Sequence, residues 1–264
     1  MMARTPLRLL MTSGFAALAL GLAEASSASA GNLIEISYVA DIAGATVLKV
    51  DYRAEIGADR FEASLSGKTS GMSSMFSGYK MDLSANGKID PGGFRSVLYE
   101  NDRKKSGKKK KSTDILWQPD GSVTISREGQ NEAVPPHIAS ALGDAASDPL
   151  TAILKMANSQ QGKPCSGKYR AYDGKDVFDL ALTLDEAQDN KIKCKLTWTP
   201  VAGDAVEKGE KAESYGLSLA PVQLSSGRVL HLPLQITGRS NGLKVTITAS
   251  SVNIDGREMT KSQN

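Results

Sequence analysis

The sequence predicts an all-β protein, an antiparallel barrel-like or spiral sheet of about a dozen strands with one or two short helices. Three observations carry that expectation. Apolar and polar residues alternate with period two in short runs. Gly, Asp and Asn punctuate those runs at turn positions. Only the middle of the chain repeats its apolar residues at helical spacing. So many consecutive hairpins would leave exposed edges in a flat sheet, which favours an edge-free closed or spiral form.

Residues 1–30 read as a secretory signal peptide. Arg4 and Arg8 open the segment, a short apolar run follows, and Ala28-Ser29-Ala30 places small residues at a cut. Thr12, Ser13 and Gly14 interrupt the run, which is shorter than the roughly 20 residues a spanning helix needs. The expected mature chain is a single all-β domain over 31–264, exported to the periplasm and long enough to bury a sizeable core. Losing Arg4, Arg8 and Glu24 lowers the formal charge from +3 to +2, so electrostatic recognition is local and a nucleic-acid partner is not expected.

Strands are expected at 33–42, 46–56 and 60–70, turning at Ala43-Gly44-Ala45 and Gly57-Ala58-Asp59, with Val50, Tyr52 and Ala54 on one face. Between 71 and 78, Met72, Met75 and Phe76 sit among Ser and Gly, either as core residues in a loose connection or as a flexible apolar lip. Further strands follow at 79–83, 93–101, 112–117 and 122–128, set off by turns at Ala85-Asn86-Gly87, Asp90-Pro91-Gly92-Gly93 and Pro119-Asp120-Gly121. The rhythm breaks at 137–142 and 149–158, which read as helices. Asp148 is the N-cap of the second, Pro149 takes its first position, and Leu150, Ile153, Leu154 and Ala157 share a face that packs on or plugs the sheet. Strands resume at 165–171, 176–186, 191–200, 214–220, 230–237 and 243–254, before a polar tail expected to fray.

Export into an oxidising compartment makes a structural disulfide the expected state of Cys165 and Cys194, since their spacing is neither C-x-x-C nor a zinc signature.

Asp148-Pro149-Leu150-Thr151, Cys165, Tyr172-Asp173-Gly174-Lys175, Phe178-Asp179-Leu180, Cys194 and Pro200-Val201-Ala202-Gly203 follow one another in an order and spacing that resembles the exported bacterial family named domain of unknown function 3108. The resemblance runs from about Tyr38 to Val252. It implies a periplasmic protein with an antiparallel barrel-like or spiral sheet, a helix starting at the Asp-Pro motif, and no established activity. Members often carry a basic residue soon after the Asp-Gly-Lys turn, where this chain has Asp176.

No nucleophile elbow, metalloprotease helix, phosphate loop or dinucleotide fingerprint is present. His137 and His231 each read as a plain surface or half-buried residue. Asp173, Asp176 and Asp179 form the densest acid cluster, but they lack the calcium-loop pattern, and Asp173-Gly174 reads as a hairpin turn. No catalytic residue, metal or cofactor is expected.

The strongest local anomaly is Arg103, Lys104, Lys105, Lys108, Lys109, Lys110 and Lys111, seven cations in nine residues around a Ser106-Gly107 tip. They read either as a solvated hairpin whose lysines discourage edge pairing, or as a surface for anionic lipid headgroups, lipopolysaccharide phosphates or an acidic partner. The expected function is that of a non-enzymatic periplasmic cell-envelope protein binding a lipid or protein partner, with peripheral membrane contact. A purely structural envelope factor and a hydrolase are the alternatives.

Overall fold

The structure, a computed structural model, describes residues 31–71, 78–158, 163–188, 191–240 and 242–259. The expected signal peptide and the expected apolar lip with Met72, Met75 and Phe76 lie outside the described residues. The first eight strands are β1 (Asn32–Ile42), β2 (Ala45–Ile56), β3 (Arg60–Thr69), β4 (Tyr79–Asp90), β5 (Gly93–Lys105), β6 (Lys111–Trp117), β7 (Val123–Arg127) and β8 (Gln130–Glu132). Helices α1 (Pro136–Leu142) and α2 (Pro149–Ala157) follow, then β9 (Gly167–Tyr172), β10 (Asp176–Gln188) and β11 (Lys191–Gly203). A short α3 (Asp204–Glu207) precedes β12 (Glu213–Gln223), β13 (Val229–Ser240), β14 (Leu243–Ile254) and β15 (Arg257–Glu258). The short β8, α3 and β15 carry no periodicity long enough to be read from sequence.

The strands form one antiparallel sheet in the order β8-β7-β6-β5-β4-β3-β2-β1-β14-β13-β12-β11-β10-β9, with β15 added to β14. The sheet curls into a barrel-like wall but does not close, so the edge-free alternative is corrected: β8 and β9 are its ends. Closure by strand pairing is pre-empted because the chain leading into α2 occupies the β9 edge. Ser147 bridges Ala171 there, donating to the Arg170 carbonyl at 3.1 Å and accepting from Tyr172 at 2.9 Å. Arg127 of β7 spans the gap by donating to the Gly174 carbonyl in the β9–β10 turn.

The turn expected at Ala85-Asn86-Gly87 does not form; β4 runs through it. Ala85 is buried, and at Gly87, which pairs with Phe61, an added Cβ would stand 2.0 Å from the Arg95 carbonyl oxygen of β5 and 2.5 Å from the Phe61 ring. Glycine is there for close approach of the neighbouring backbone and of an aromatic ring rather than for a bend. Phe61 in turn meets Phe94 edge-on at 5.2 Å. The expectation that hairpin lysines guard an edge is also corrected, since β5 and β6 lie inside the sheet.

Candidate functional site

The site is built around α2, which enters the barrel instead of lying on its outside. Asp148 fixes its start. The carboxylate accepts the Thr151 amide at 2.8 Å, the Thr151 hydroxyl, and the Ser96 hydroxyl at 2.6 Å, while Ser96 also accepts the Asp148 amide at 3.0 Å. Ser96 can face inward alongside the buried Tyr99 because an extra residue, Val97, is inserted in β5 between the pairs Gly87–Ser96 and Asn86–Leu98. Three residues apart on a regular strand, the two side chains would face opposite sides of the sheet. Asp148 is wholly buried, and that burial pushes its carboxyl above the usual range against the pull of its donors.

Beside the later half of α2 the barrel is hollow. A cavity of about 410 Å³ lies between Ile153, Leu154, Met156 and Ala157 of α2 and the inner faces of β1–β3 and β10–β13, with Met81 of β4 and Ile247 of β14 completing the wall. Half-buried Leu48, Met81, Ile236 and Ile247 form its rim, at the end of the sheet that holds the β1–β2 and β13–β14 turns. Among the described residues no charged side chain lines it, and its polar groups are Tyr38, Tyr52 and His231. Tyr38 donates its hydroxyl to the Pro233 carbonyl at 2.8 Å, tying β1 to β13 across the wall. Burial raises both tyrosine phenols far above their usual range, so they remain neutral. Burial likewise lowers the His231 imidazole, opposed by its hydrogen bond to the Ala157 backbone at the helix end. Its Nδ1 is buried with no hydrogen-bond partner among the described residues.

The other sequence-selected residues are placed apart from this cavity or behind its wall. Cys165 and Cys194 are joined as a disulfide with Cα atoms 5.6 Å apart, in a small apolar cluster with Leu182, Leu217 and Leu219. The seven cations of the basic hairpin are all exposed. Arg103 lies 3.7 Å from Asp173 and Lys110 lies 2.7 Å from Asp102; the other five have no ion pair among the described residues. The acid cluster disperses into three structural roles. Asp173 accepts the amides of Lys175 and Asp176, Asp176 accepts the Ala205 amide at 2.7 Å, and buried Asp179 takes both arms of Arg170, at 2.9 and 3.0 Å, plus Lys168. Arg170 continues to the Ala141 carbonyl near the end of α1. His137 is exposed on α1. No cluster of His, Cys, Asp and Glu among the described residues is arranged to hold a metal ion, and no described helix is long and apolar enough to cross a membrane.

A larger concavity of about 850 Å³ lies on the outer face of the sheet, lined by outward-facing Ser, Asp and Glu of β1–β6. Many of its groups are paired with each other across strands, as in Ser37 with Asp51, Ser84 with Glu100 and Arg53 with Glu35. The inner cavity is the stronger candidate because it is concave and its lining is almost wholly apolar. Sequence reading missed it, although the signal was present in the bulky apolar residues of the inner-facing positions; what was absent was any sign that they stop short of one another.

No curated protein matches the chain. Among solved structures, the crystal structure of a beta-barrel-like protein of domain of unknown function DUF1849 from Brucella abortus is similar, with a TM-score of 0.51 and 8% identity over 86% of this chain and 99% of that one. At that identity the likeness concerns the fold alone. The model of the family described as Protein of unknown function (DUF3108) matches residues 35–207, which spans β1 to α3 and stops short of the Val252 reached by the motif resemblance. The chain therefore belongs to the DUF3108 family of proteins of unknown function.

Proposed function

We propose that the protein is exported to the periplasm and serves the cell envelope by binding, not by catalysis, holding the apolar chain of a lipid or lipid-like molecule in the cavity beside α2. The apolar cavity of about 410 Å³ carries this reading. It is nearly three times the roughly 150 Å³ of an engineered cavity that accepts one benzene. It opens at the rim formed by Leu48, Met81, Ile236 and Ile247, so an apolar chain can enter from that end and take the lining out of water, which stabilises by roughly 25 cal/mol per Å² of apolar surface covered. The lining favours binding over hydrolysis because no carboxylate stands beside His231 among the described residues, leaving the imidazole without the partner a proton relay uses. The disulfide is compatible with an exported protein.

Protein purified from periplasm without detergent should release a chain-bearing molecule on solvent extraction, identified by mass spectrometry. The mature chain should also take up a fluorescent fatty acid, and Ile236→Trp, which fills the rim, should lower that affinity at least tenfold while the far-UV spectrum stays the same. No extractable apolar molecule together with no fatty-acid uptake overturns the reading.

A further inference from the structure

The strand register assembles a charged surface that the linear sequence scatters. Lys49 of β2 pairs directly with Lys68 of β3, Lys68 with Lys80 of β4, and Lys80 with Lys104 of β5. Four exposed lysines therefore stand in one row on the outer face, spaced by about 4.8 Å per strand. Like charges directly opposite one another are destabilising in a sheet, so folding alone does not account for this row.

Its position is specific. Leu48 and Met81, the neighbours of Lys49 and Lys80, point the other way and form the cavity rim, so the row backs onto the rim wall. The basic hairpin joins the row at Lys104 and overhangs the same end, where the Ser106 amide donates to the Gly78 carbonyl at 2.6 Å. Across the mouth, Arg239 of β13 and Lys244 of β14 form another directly opposed like-charge pair, and the Ala43 amide donates to the Lys244 carbonyl at 3.0 Å. Two residues further along the strands the sign reverses: Asp51, Asp82 and Asp102 hold the corresponding outer positions. Lys80 reaches Asp82 at 2.9 Å and Lys110 reaches Asp102 at 2.7 Å, while Asp41 is bonded to Thr46. Lys49, Lys68, Lys104, Lys105, Lys108, Lys109 and Lys111 form no ion pair among the described residues.

We infer that this end of the barrel is a docking surface for an anionic lipid bilayer, approached end-on by the lysine row and the hairpin tip together. Charge complementarity selects the partner, and the acidic rows select the orientation. A flat approach would press Asp82, Asp102, Glu100 and Asp114 against lipid phosphates, well within the Debye length of about 8–10 Å. An end-on approach keeps them behind the cations and brings the rim formed by Leu48, Met81, Ile236 and Ile247 to the bilayer. The docking rests on the charges alone and does not require the cavity to hold a ligand.

The test is co-sedimentation of the mature protein with vesicles of 30% phosphatidylglycerol in phosphatidylcholine, with pure phosphatidylcholine as control. Binding is expected only to the anionic vesicles and should weaken steeply with salt. Triple replacement Lys49→Ser, Lys68→Ser and Lys104→Ser leaves the remaining hairpin cations in place. It should lower binding by about fivefold per lysine removed, with an unchanged or slightly raised melting temperature as the like-charge contacts go. Tryptophan fluorescence of Met81→Trp should shift to the blue on the anionic vesicles. No binding to anionic vesicles at low salt, equal binding by the triple variant, or equal binding to phosphatidylcholine overturns the docking surface. Binding without a fluorescence shift overturns the end-on orientation. Fatty-acid uptake by the soluble triple variant should persist, which separates this result from the fate of the cavity.

Discussion

The two ends of α2 occupy opposite environments. At its start, Asp148 is wholly buried, each carboxylate oxygen is engaged, and Leu150, Thr151 and Ala152 are sealed from solvent. At its end, Ile153 and Met156 are half-buried against a hollow, and His231 contributes a ring nitrogen with no partner among the described residues. One helix of nine residues thus carries a saturated polar anchor and an under-filled apolar wall. The difference teaches that the helix is held by its first turn so that its last turns need not pack to full density. Stability concentrated at one end offsets a hollow maintained at the other, the usual tension between stability and function.

The largest effect that would break this comparison comes from Asp148→Ala. Losing a cap alone typically costs about 1 kcal/mol, but here the Ser96 hydroxyl and the Thr151 amide and hydroxyl would be stranded in the interior, each worth about 1–3 kcal/mol when left unmade. With each group at the low end of that range and the cap added, a total of about 4 kcal/mol should lower the melting temperature by about 10 °C. Fatty-acid affinity of the molecules still folded should be unchanged. A shift under about 3 °C, or affinity lost with the fold intact, would show that the two ends of the helix are not separate in role.

Next in size is Asp179→Asn, which tests the second polar anchor, between β9, β10 and α1. Burial opposes ionisation of Asp179, but Arg170 and Lys168 outweigh it and hold the carboxyl below its usual range. A lowered folded pKa contributes stability above the unfolded value, near 3.9, and loses it as pH falls through the folded one. The variant should therefore be less stable than the parent by about 2 kcal/mol at pH 7, below the range for fully buried pairs because Arg170 is partly exposed. Denaturant melts from pH 7 to pH 3 should show the gap closing below about pH 4. A gap constant across that range would remove the ion pair as its cause.

How much of this was legible depends on whether the signal is local. Asp148 and Pro149 announce α2 because capping chemistry is written within four residues. Asp173-Gly174 announces its turn for the same reason, with Gly174 at φ 93°. Asn86-Gly87 carries an equally strong local signal and misleads, because the Arg95 carbonyl and the Phe61 ring, from the two flanking strands, decide what that glycine is for. The barrel-like curl is legible in the run of hairpins, but whether the edges meet is not: which group occupies the β9 edge depends on where Ser147 lands. The lysine row and the cavity belong to the same class. Lys49, Lys68 and Lys80 become neighbours only through register, and a hollow is a property of distances between inner faces that no single strand records.

The smallest expected effect sharpens the comparison at the hollow end. His231 is held neutral by burial and donates to the Ala157 backbone, so the unpartnered Nδ1 is an acceptor lone pair in an otherwise apolar setting. His231→Leu removes that unmet acceptor and also the bond to Ala157. These act in opposite directions at about 1 kcal/mol each, so the melting temperature should move by less than about 3 °C. Ligand recognition should change little as well. Nδ1 itself is sealed from the cavity, so a long-chain alcohol, whose hydroxyl would gain about 0.5–1.5 kcal/mol at an open acceptor, finds no more there than the methyl ether of equal chain length. The variant should bind both the alcohol and the ether within about twofold of the parent, read by displacement of the fluorescent fatty acid. A loss for the alcohol alone would mean that the ring turns its Nδ1 toward the cavity when a ligand enters, and the hollow end of α2 would then select for a polar end as well as for chain.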